Sequence, residues 1–313
     1  MRVALLYGPE DLRLEDVDEP RPGAGEVVLE IRAAGVCGTD VKTYRRGHRI
    51  LGPYPARFGH EFAGVVAEVG DGVDAFAPGD EVFCANSAPC GACAQCARGN
   101  QTLCEDLLFL LGGFGERLLV PARIVRKNLH WLPPGLPLEL APVAEPLACA
   151  VRAVEVARVE PGERVAIVGA GALGRMLSNL VARAGAEPIL LDRRAERLAD
   201  ARGADQSFEA VGRPDTWELA VSLVRPGGAV NLFGGCAADT TFTVPTERIH
   251  YEEVTLRGTF HHTPTHIRTA LELLAEDPER WEELRGPRVS LDELEPALRG
   301  ELGSSSKYLV VPG

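Results

Sequence analysis

Apolar and polar positions divide the chain into two kinds of segment. In the first 85 residues, short apolar runs alternate with polar residues, as in residues 27–32 and 65–69. Alternation with a period of two predicts strands of a half-buried sheet, and the Gly70-Asp71-Gly72 sequence that follows the second run predicts a turn. The chain is therefore expected to begin with a β-rich domain.

From about residue 151 the pattern changes to strand, glycine-rich turn, helix and strand, which is typical of a parallel sheet. Residues 165–168 are the first predicted strand and residues 172–184 its helix. Further strands are predicted at 189–191, 207–211, 230–233 and 254–256. A helix at 267–275 then leads to a closing strand at 307–311, which is expected to return to the first domain. The predicted domains are 1–150 with 263–313, and 151–262.

Composition narrows the class of protein. A chain of 313 residues is long enough for two domains. Its net charge of -12 argues against nucleic acid as a partner. No apolar run approaches the roughly 20 residues of a membrane helix, and the N-terminus has no signal-peptide pattern. The protein is therefore expected in the cytoplasm, with a small molecule as its partner.

Four cysteines form the most specific local pattern, Cys90-x2-Cys93-x2-Cys96-x7-Cys104. Thiols at this spacing are suited to surround one ion tetrahedrally and cannot pair with one another without strain. An iron–sulfur motif of related spacing would have three residues before its last cysteine and a proline after it, whereas this chain has seven and Glu105. The pattern predicts a structural zinc in a lobe at 84–107.

A second candidate metal set is scattered along the chain: Cys37, His60, Glu61 and Glu145. A thiol, an imidazole and carboxylates suit Zn²⁺. Taken alone, a His-Glu pair is more often a solvated surface feature, and a lone cysteine a buried apolar residue. Because a strand cannot point adjacent side chains to one face, a bend must bring His60 and Glu61 together.

The context of this set carries a family resemblance. Residues 59–73 follow the spacing G-H-E-x2-G-x5-G-x2-V, which resembles the zinc signature of the medium-chain alcohol dehydrogenase family. Residues 35–40, Gly-Val-Cys-Gly-Thr-Asp, and residues 145–147, Glu-Pro-Leu, are similar to that family's other motifs. A glutamate at position 145 resembles the polyol, threonine and sugar dehydrogenase branches.

The resemblance implies a role for each residue of the site. Cys37 and His60 would be constant zinc ligands, and Glu61 and Glu145 would exchange with water. Zinc would help an alcohol lose its proton at neutral pH, and Thr39 matches the hydroxyl that receives it. Lys42 stands where many members have a relay histidine, so His48 in the same loop is the candidate substitute.

A dinucleotide fingerprint follows the first strand of the second domain, with Gly169, Gly171, Leu173 and Gly174 in a G-x-G-x-x-G pattern that opens a helix. This context predicts that the helix N-terminus binds a pyrophosphate. Asp192, 18 residues after Gly174, is expected to accept the ribose hydroxyls and to favour NAD over NADP. Arginines beside it keep NADP as the alternative, and further cofactor contacts are implied by the resemblance: Arg193, Arg197, Phe233, Gly234, Thr259 and Phe260.

The chain also departs from the family. Between residues 205 and 208 it lacks the strand and helix that members normally have, so about five parallel strands are expected where six are usual. The resemblance implies an α/β protein with a β-rich GroES-like catalytic domain and a Rossmann doubly wound sheet that lacks one β-α unit. The missing unit helps to wall the adenine pocket in relatives, so cofactor affinity is expected to be weak.

The predicted function is transfer of a hydride from a secondary alcohol, a polyol or sugar-like compound, to NAD, with two zinc ions per chain. One alternative is a threonine or glucose dehydrogenase that uses the same mechanism. The alternative from another class is a non-catalytic zinc protein with impaired NAD binding. Relatives pair through the last strand of the cofactor sheet, so a homodimer or homotetramer through residues 254–258 is expected.

Overall fold

The strands of the first part of the chain form antiparallel sheets. The computed structural model describes residues 1–48, 50–192, 198–303, 305 and 307–313. Within them, the chain divides into unit 1, Met1–Ala148 with Thr263–Gly313, and unit 2, Cys149–His262. The strands before unit 2 are β1 (Arg2–Gly8), β2 (Asp11–Asp16), β3 (Val27–Val36), β4 (Ala56–Arg57), β5 (Glu61–Val69), β6 (Glu81–Cys84), β7 (Ser87–Ala88), β8 (Leu108–Phe109), β9 (Arg117–Val120) and β10 (Leu129–Trp131).

Short helices connect these strands. They are α1 (Gly38–Arg46), α2 (Ala94–Ala97), α3 (Ala122–Asn128) and α4 (Ala144–Ala157), with 3-10 turns at Gln101–Leu103 and Ala141–Val143. Helix α4 continues into unit 2, where the strands are β11 (Arg164–Val168), β12 (Glu187–Leu191), β13 (Ala204–Glu209), β14 (Val224–Leu232) and β15 (Thr255–Gly258). The helices of unit 2 that follow are α5 (Ala172–Arg183), α6 (Leu198–Ala201), α7 (Pro214–Leu223) and α8 (Thr246–His250).

The chain then returns to unit 1. Its last elements are α9 (Pro264–Glu276), α10 (Pro278–Trp281), a 3-10 turn at Glu282–Leu284, β16 (Arg288–Val289), α11 (Leu294–Arg299) and β17 (Tyr308–Val310). Strand β17 pairs antiparallel with β3, with Leu309 opposite Gly35. The prediction that the closing strand returns to the first domain is therefore confirmed.

Strand β3 is the centre of the larger sheet of unit 1, whose order is β10-β6-β5-β3-β17-β16, with β9 also paired to β3. Its apolar side chains pack into a core with Phe62, Val66 and Phe114. Where β3 meets β5, a Cβ on Gly64 would lie 2.0 Å from the carbonyl oxygen of Glu30. A side chain at this position would force the strands apart, which explains the glycine directly after the His-Glu-Phe-Ala run.

Unit 2 has one sheet of five parallel strands in the order β12-β11-β13-β14-β15. The predicted α/β class and the five-stranded sheet are confirmed. Side chains of the strands and of α7, among them Val168, Ala220 and Val230, form its apolar core. No helix in the described part of the chain is both long and apolar enough to cross a membrane.

Candidate functional site

Cys37, His60 and Glu61 come together in unit 1, with one potential ligand atom from each within 4.8 Å of the others. Cys37 precedes α1 as its N-cap, and its Sγ accepts a hydrogen bond from the amide of Thr39 at 3.2 Å. The same Sγ lies 3.4 Å from Nε2 of His60. Gly59, with a φ of 86°, makes the bend immediately before His60, and Glu61 then begins β5.

Asp40 orients the imidazole. Its Oδ1 lies 3.1 Å from Nδ1 of His60, and its Oδ2 accepts the amide of Cys37 at 2.9 Å. Burial would raise the pKa of Asp40, but the charge and hydrogen bond of His60 outweigh it and lower this pKa. A ligand histidine usually donates its second ring N–H to such a carboxylate, which leaves Nε2 for a metal. The sequence analysis did not assign Asp40 this role, although its place three residues after Cys37 is the capping-box position.

Glu61 forms a buried ion pair with Lys307, which directly precedes β17. The two side chains are 1% and 2% exposed. Burial raises the pKa of Glu61, while the charge of Lys307 opposes this increase. A Cβ on Gly35 would lie 2.2 Å from Oε2 of Glu61, so the glycine of β3 makes room for the pair. Sequence reasoning missed Lys307 because nothing local marks a partner 246 residues away.

The residues fit a zinc ion. Among the described residues, Oε1 of Glu61 is buried without a hydrogen-bond partner, and such an atom is costly unless something binds it. Sulfur, imidazole nitrogen and carboxylate oxygen form a set typical of catalytic zinc, which keeps a further position open. A cation there would also offset the cost of burying the charged carboxylate of Glu61.

The remaining predicted residues of this site lie in the same unit. Glu145 is in the first turn of α4, is 5% exposed and accepts a hydrogen bond from Nδ2 of Asn86 at 3.1 Å. Its charge is one of the causes that raise the pKa of Glu61. Thr39 is partly buried beside Cys37. His48 is exposed after α1, and its Nδ1 accepts the amide of Ile50 at 3.3 Å.

The four-cysteine lobe is also assembled, with ligand atoms of Cys90, Cys93, Cys96 and Cys104 all within 4.8 Å. Backbone amides donate to Sγ of Cys90, of Cys93 and of Cys104. Amide donors, from Cys96 first, lower the pKa of Cys93 to about 6, whereas burial and then its neighbouring thiols raise that of Cys96 to about 12. Four close thiolates need a cation to ionise together, so the donor set fits zinc.

The glycine fingerprint lies at the carboxyl end of β11 in unit 2. A Cβ on Gly174 would lie 1.7 Å from the carbonyl oxygen of Gly169, so this glycine lets α5 approach the strand. By contrast, no described atom lies within 4 Å of the Cβ position on Gly171. Leu173 is partly buried. Gly171 is the N-cap of α5 and has no side chain that could bind the first amides of the helix. These amides are therefore available to a ligand, which fits a pyrophosphate.

Glu209, at the end of β13, organises the neighbouring loops and was missed by sequence reasoning. Its Oε1 accepts the amides of Val211 and Gly212 at 2.9 Å each and the hydroxyl of Thr216 at 2.6 Å. Its carbonyl oxygen accepts the amide of Gly234 at 2.8 Å. Glu209 therefore joins the loops after β13 and β14, the first through its buried carboxylate and the second through its backbone carbonyl. The loop after β13 borders the point between β11 and β13 where the strand order reverses, which is where dinucleotides bind in such sheets.

Other predicted cofactor residues follow β12, β14 and β15. Asp192 is exposed after β12, and Phe233 follows β14, where its amide donates to the carbonyl oxygen of Glu209 at 3.1 Å. Thr259 follows β15, and its buried Oγ1 has no hydrogen-bond partner among the described residues, which fits a polar group of a cofactor. Phe260 is 47% exposed. Two further predicted contacts, Arg193 and Arg197, lie outside the described residues.

Comparison with known proteins gives two family models. Residues 23–133 match the alcohol dehydrogenase GroES-like domain, and residues 178–276 match the zinc-binding dehydrogenase domain. The chain is 35% identical over 270 residues to an L-threonine 3-dehydrogenase of Pyrococcus furiosus, covering 75% of this chain and 74% of that protein. It is 30% identical to galactitol 1-phosphate 5-dehydrogenase of Escherichia coli K12, covering 92% of each. The solved alcohol dehydrogenase of Thermus sp. ATN1 is similar along the full length of both chains, with 27% identity and a TM-score of 0.87.

Proposed function

The chain belongs to the zinc-dependent medium-chain alcohol dehydrogenase family, and we propose that it oxidises a secondary alcohol of a polyol or sugar-like compound with NAD as the hydride acceptor. The observation that carries the proposal is the Cys37, His60 and Glu61 set, with Asp40 behind the imidazole. One carboxylate oxygen of Glu61 has no hydrogen-bond partner within the part of the chain that the structure describes. Family membership makes the protein a zinc-dependent, nicotinamide-linked alcohol dehydrogenase. The substrate and the preference for NAD are our proposals.

The proposed metal sites are one catalytic and one structural. Cys37, His60 and either Glu61 or Glu145 would hold the catalytic zinc, which when bound supplies a Lewis acid that lowers the pKa of a substrate hydroxyl. The second zinc belongs to the four-cysteine lobe. Lys307 forms an ion pair with Glu61, and a bound zinc would be a second cation beside this carboxylate. Glu61 thus has two alternative cationic partners, which suits a ligand that exchanges with water.

The reaction removes one hydride and one proton from the alcohol. The carbon transfers the hydride to the nicotinamide, and the hydroxyl loses the proton as the carbonyl forms. We assign proton acceptance to Oγ1 of Thr39, next to Cys37 at the start of α1. His48 is the proposed group that passes the proton to solvent, because its exposed ring follows the same helix. Thr39 and His48 would together give the proton an exit to solvent.

The cofactor proposal uses unit 2. Gly171 and the N-terminus of α5 would bind the pyrophosphate, and Gly169 and Gly174 shape that turn. Asp192 would accept the ribose hydroxyls and repel a 2′-phosphate, so NAD is preferred over NADP. Thr259 offers its unpartnered hydroxyl to the nicotinamide end. Among the described residues, strand β15 lies at the edge of the five-stranded sheet, and we propose it as the contact of a homodimer or homotetramer.

Mixing the zinc-loaded protein with NAD or NADP and a panel of polyols, threonine and glucose tests this proposal by the absorbance of the reduced nicotinamide. We expect reduction of NAD with a polyol and little with the other compounds. Threonine is the second candidate substrate because of the 35% identical relative. Fast turnover of threonine or glucose alone would replace the polyol proposal. Absence of any turnover together with absence of NAD binding in calorimetry would support a non-catalytic zinc protein.

A further inference from the structure

The segment of residues 41–60, between Asp40 and Glu61, has an unusual charge for this chain. Residues 41–60 contain five basic residues, Lys42, Arg45, Arg46, Arg49 and Arg57, and no aspartate or glutamate. The whole chain has a net charge of -12. The segment also begins and ends beside candidate zinc ligands, since Cys37 precedes it and His60 is its last residue. A strongly positive segment therefore connects two parts of the candidate active site in an acidic protein.

Helix α1 arranges part of this charge in a row. Asp40, Thr43 and Tyr44 are buried on one face. Thr39, Lys42 and Arg46 are spaced by three and then four positions, so they share the other face. With a rise of about 1.5 Å per residue, Lys42 lies about 4.5 Å and Arg46 about 10 Å along the axis from Thr39. Positive charge therefore extends away from the point where the substrate hydroxyl would react.

Several of these arginines lack a carboxylate partner. No described carboxylate forms an ion pair with Arg45, Arg46 or Arg57, whereas other arginines of unit 1, such as Arg117 and Arg123, are paired. Arg57 is partly buried at the end of β4, three residues before His60, and burial lowers the pKa of its guanidinium. A partly buried cation without a counter-ion is unfavourable unless an anion binds it.

We propose that the basic face of α1 formed by Lys42 and Arg46 binds an anionic group of the substrate, a phosphate ester or a carboxylate several carbon atoms from the hydroxyl that is oxidised. This inference rests on the proposed function and narrows its substrate class to anionic polyols. Arginine and lysine are the side chains suited to phosphate and carboxylate. It also gives a function to Lys42, which stands where the resemblance leads one to expect a relay histidine.

The test compares three six-carbon compounds: sorbitol 6-phosphate, gluconate and sorbitol. For the wild-type zinc-loaded protein, we expect kcat/KM for one anionic compound to exceed that for sorbitol at least tenfold, and this advantage to shrink as salt is added. Preference for the phosphate or for the carboxylate identifies the anion. Equal use of all three compounds, or preference for sorbitol, would overturn the inference.

Variants locate the anion. Lys42→Met and Arg46→Gln should raise KM for the preferred anion at least tenfold relative to KM for sorbitol. Arg126→Gln is the matched control, because Arg126 is also an exposed arginine in the last turn of a helix, α3. An equal effect on charged and neutral compounds in the Lys42 and Arg46 variants would contradict anion binding and indicate a structural role.

Calorimetry separates this inference from the proposed function. Titration of the zinc-loaded wild-type protein and of Lys42→Met with sorbitol 6-phosphate and gluconate measures anion binding without turnover. If no alcohol is oxidised, the proposed function fails, but binding that is lost in Lys42→Met still supports the anion site. Binding that is identical in the two proteins, or absent from both, refutes the anion site whatever the turnover.

Discussion

The buried pair of Glu61 and Lys307 tests whether the charge of Lys307 compensates for burial of the Glu61 carboxylate at the candidate zinc site. Both side chains are at most 2% exposed. In Lys307→Met the carboxylate keeps its burial and loses its cation, and removal of one partner of a buried pair costs about 3–5 kcal/mol. A double variant, Lys307→Met with Glu61→Gln, removes both charges of the pair, so we expect it to recover at least about 2 kcal/mol of that loss.

The loss should depend on pH and on zinc. Without Lys307, the folded-state pKa of Glu61 rises further above its unfolded value, because burial already raises it. The folded variant then binds a proton more tightly than the unfolded chain, so its deficit in free energy of unfolding is small near pH 5 and grows as the pH rises. Zinc supplies another cation beside Glu61 and should stabilise the variant more than the wild type.

Urea unfolding followed by tryptophan fluorescence measures these effects. Trp217→Phe in every sample leaves Trp131 and Trp281, both in unit 1, as reporters. The reasoning would be refuted by a loss below about 1 kcal/mol at pH 8 with zinc removed, since that is the range of a solvent-exposed pair. A double variant no more stable than Lys307→Met would refute it as well.

The remaining predictions concern three separate features. Asp40→Asn should weaken zinc binding at the histidine-containing site about 10- to 100-fold, measured by competition with a chelator; unchanged affinity would contradict the orienting role. Gly171→Ala should weaken NADH binding in calorimetry at least tenfold with little change in Tm. Gly174→Ala should lower the Tm as well, because its Cβ would lie 1.7 Å from a carbonyl oxygen. Equal Tm values for the two variants would argue against the packing role of Gly174. Burial lowers the pKa of His130 to about 4, so the unfolded chain binds a proton at higher pH than the folded protein. The free energy of unfolding should therefore fall by on the order of 3 kcal/mol between pH 6.5 and pH 4. Urea titrations should show a weaker pH dependence for His130→Gln.

Local patterns in the sequence predicted much of the fold and of the site. The spacing of Cys90 to Cys104 and the glycines of residues 169–174 are short motifs, and their geometry depends on neighbours in sequence. The five-stranded sheet was predictable because a missing strand and helix leave a gap in the order of motifs. In each of these cases the deciding interactions span few residues.

Contacts between distant segments were not predictable in the same way. Lys307 faces Glu61 only because β17 and β5 both pair with β3, and no residue near Lys307 in sequence indicates this. Glu209 looked like an ordinary strand residue, and its role depends on where the loops after β13 and β14 meet. The position of Gly64 in the motif could be seen in the sequence. Its physical reason, the close approach of β5 to β3, could not.

Zinc content is the measurement that tests the central claim most directly. Wild type, His60→Ala and Cys93→Ser are purified in parallel and analysed for metal per chain. The account predicts two zinc ions in the wild type, one at Cys37, His60 and Glu61 and one in the four-cysteine lobe. It predicts one in each variant, with the alcohol-dependent reduction of NAD lost in His60→Ala. A single zinc in the wild type that His60→Ala retains and Cys93→Ser removes would contradict the catalytic metal centre.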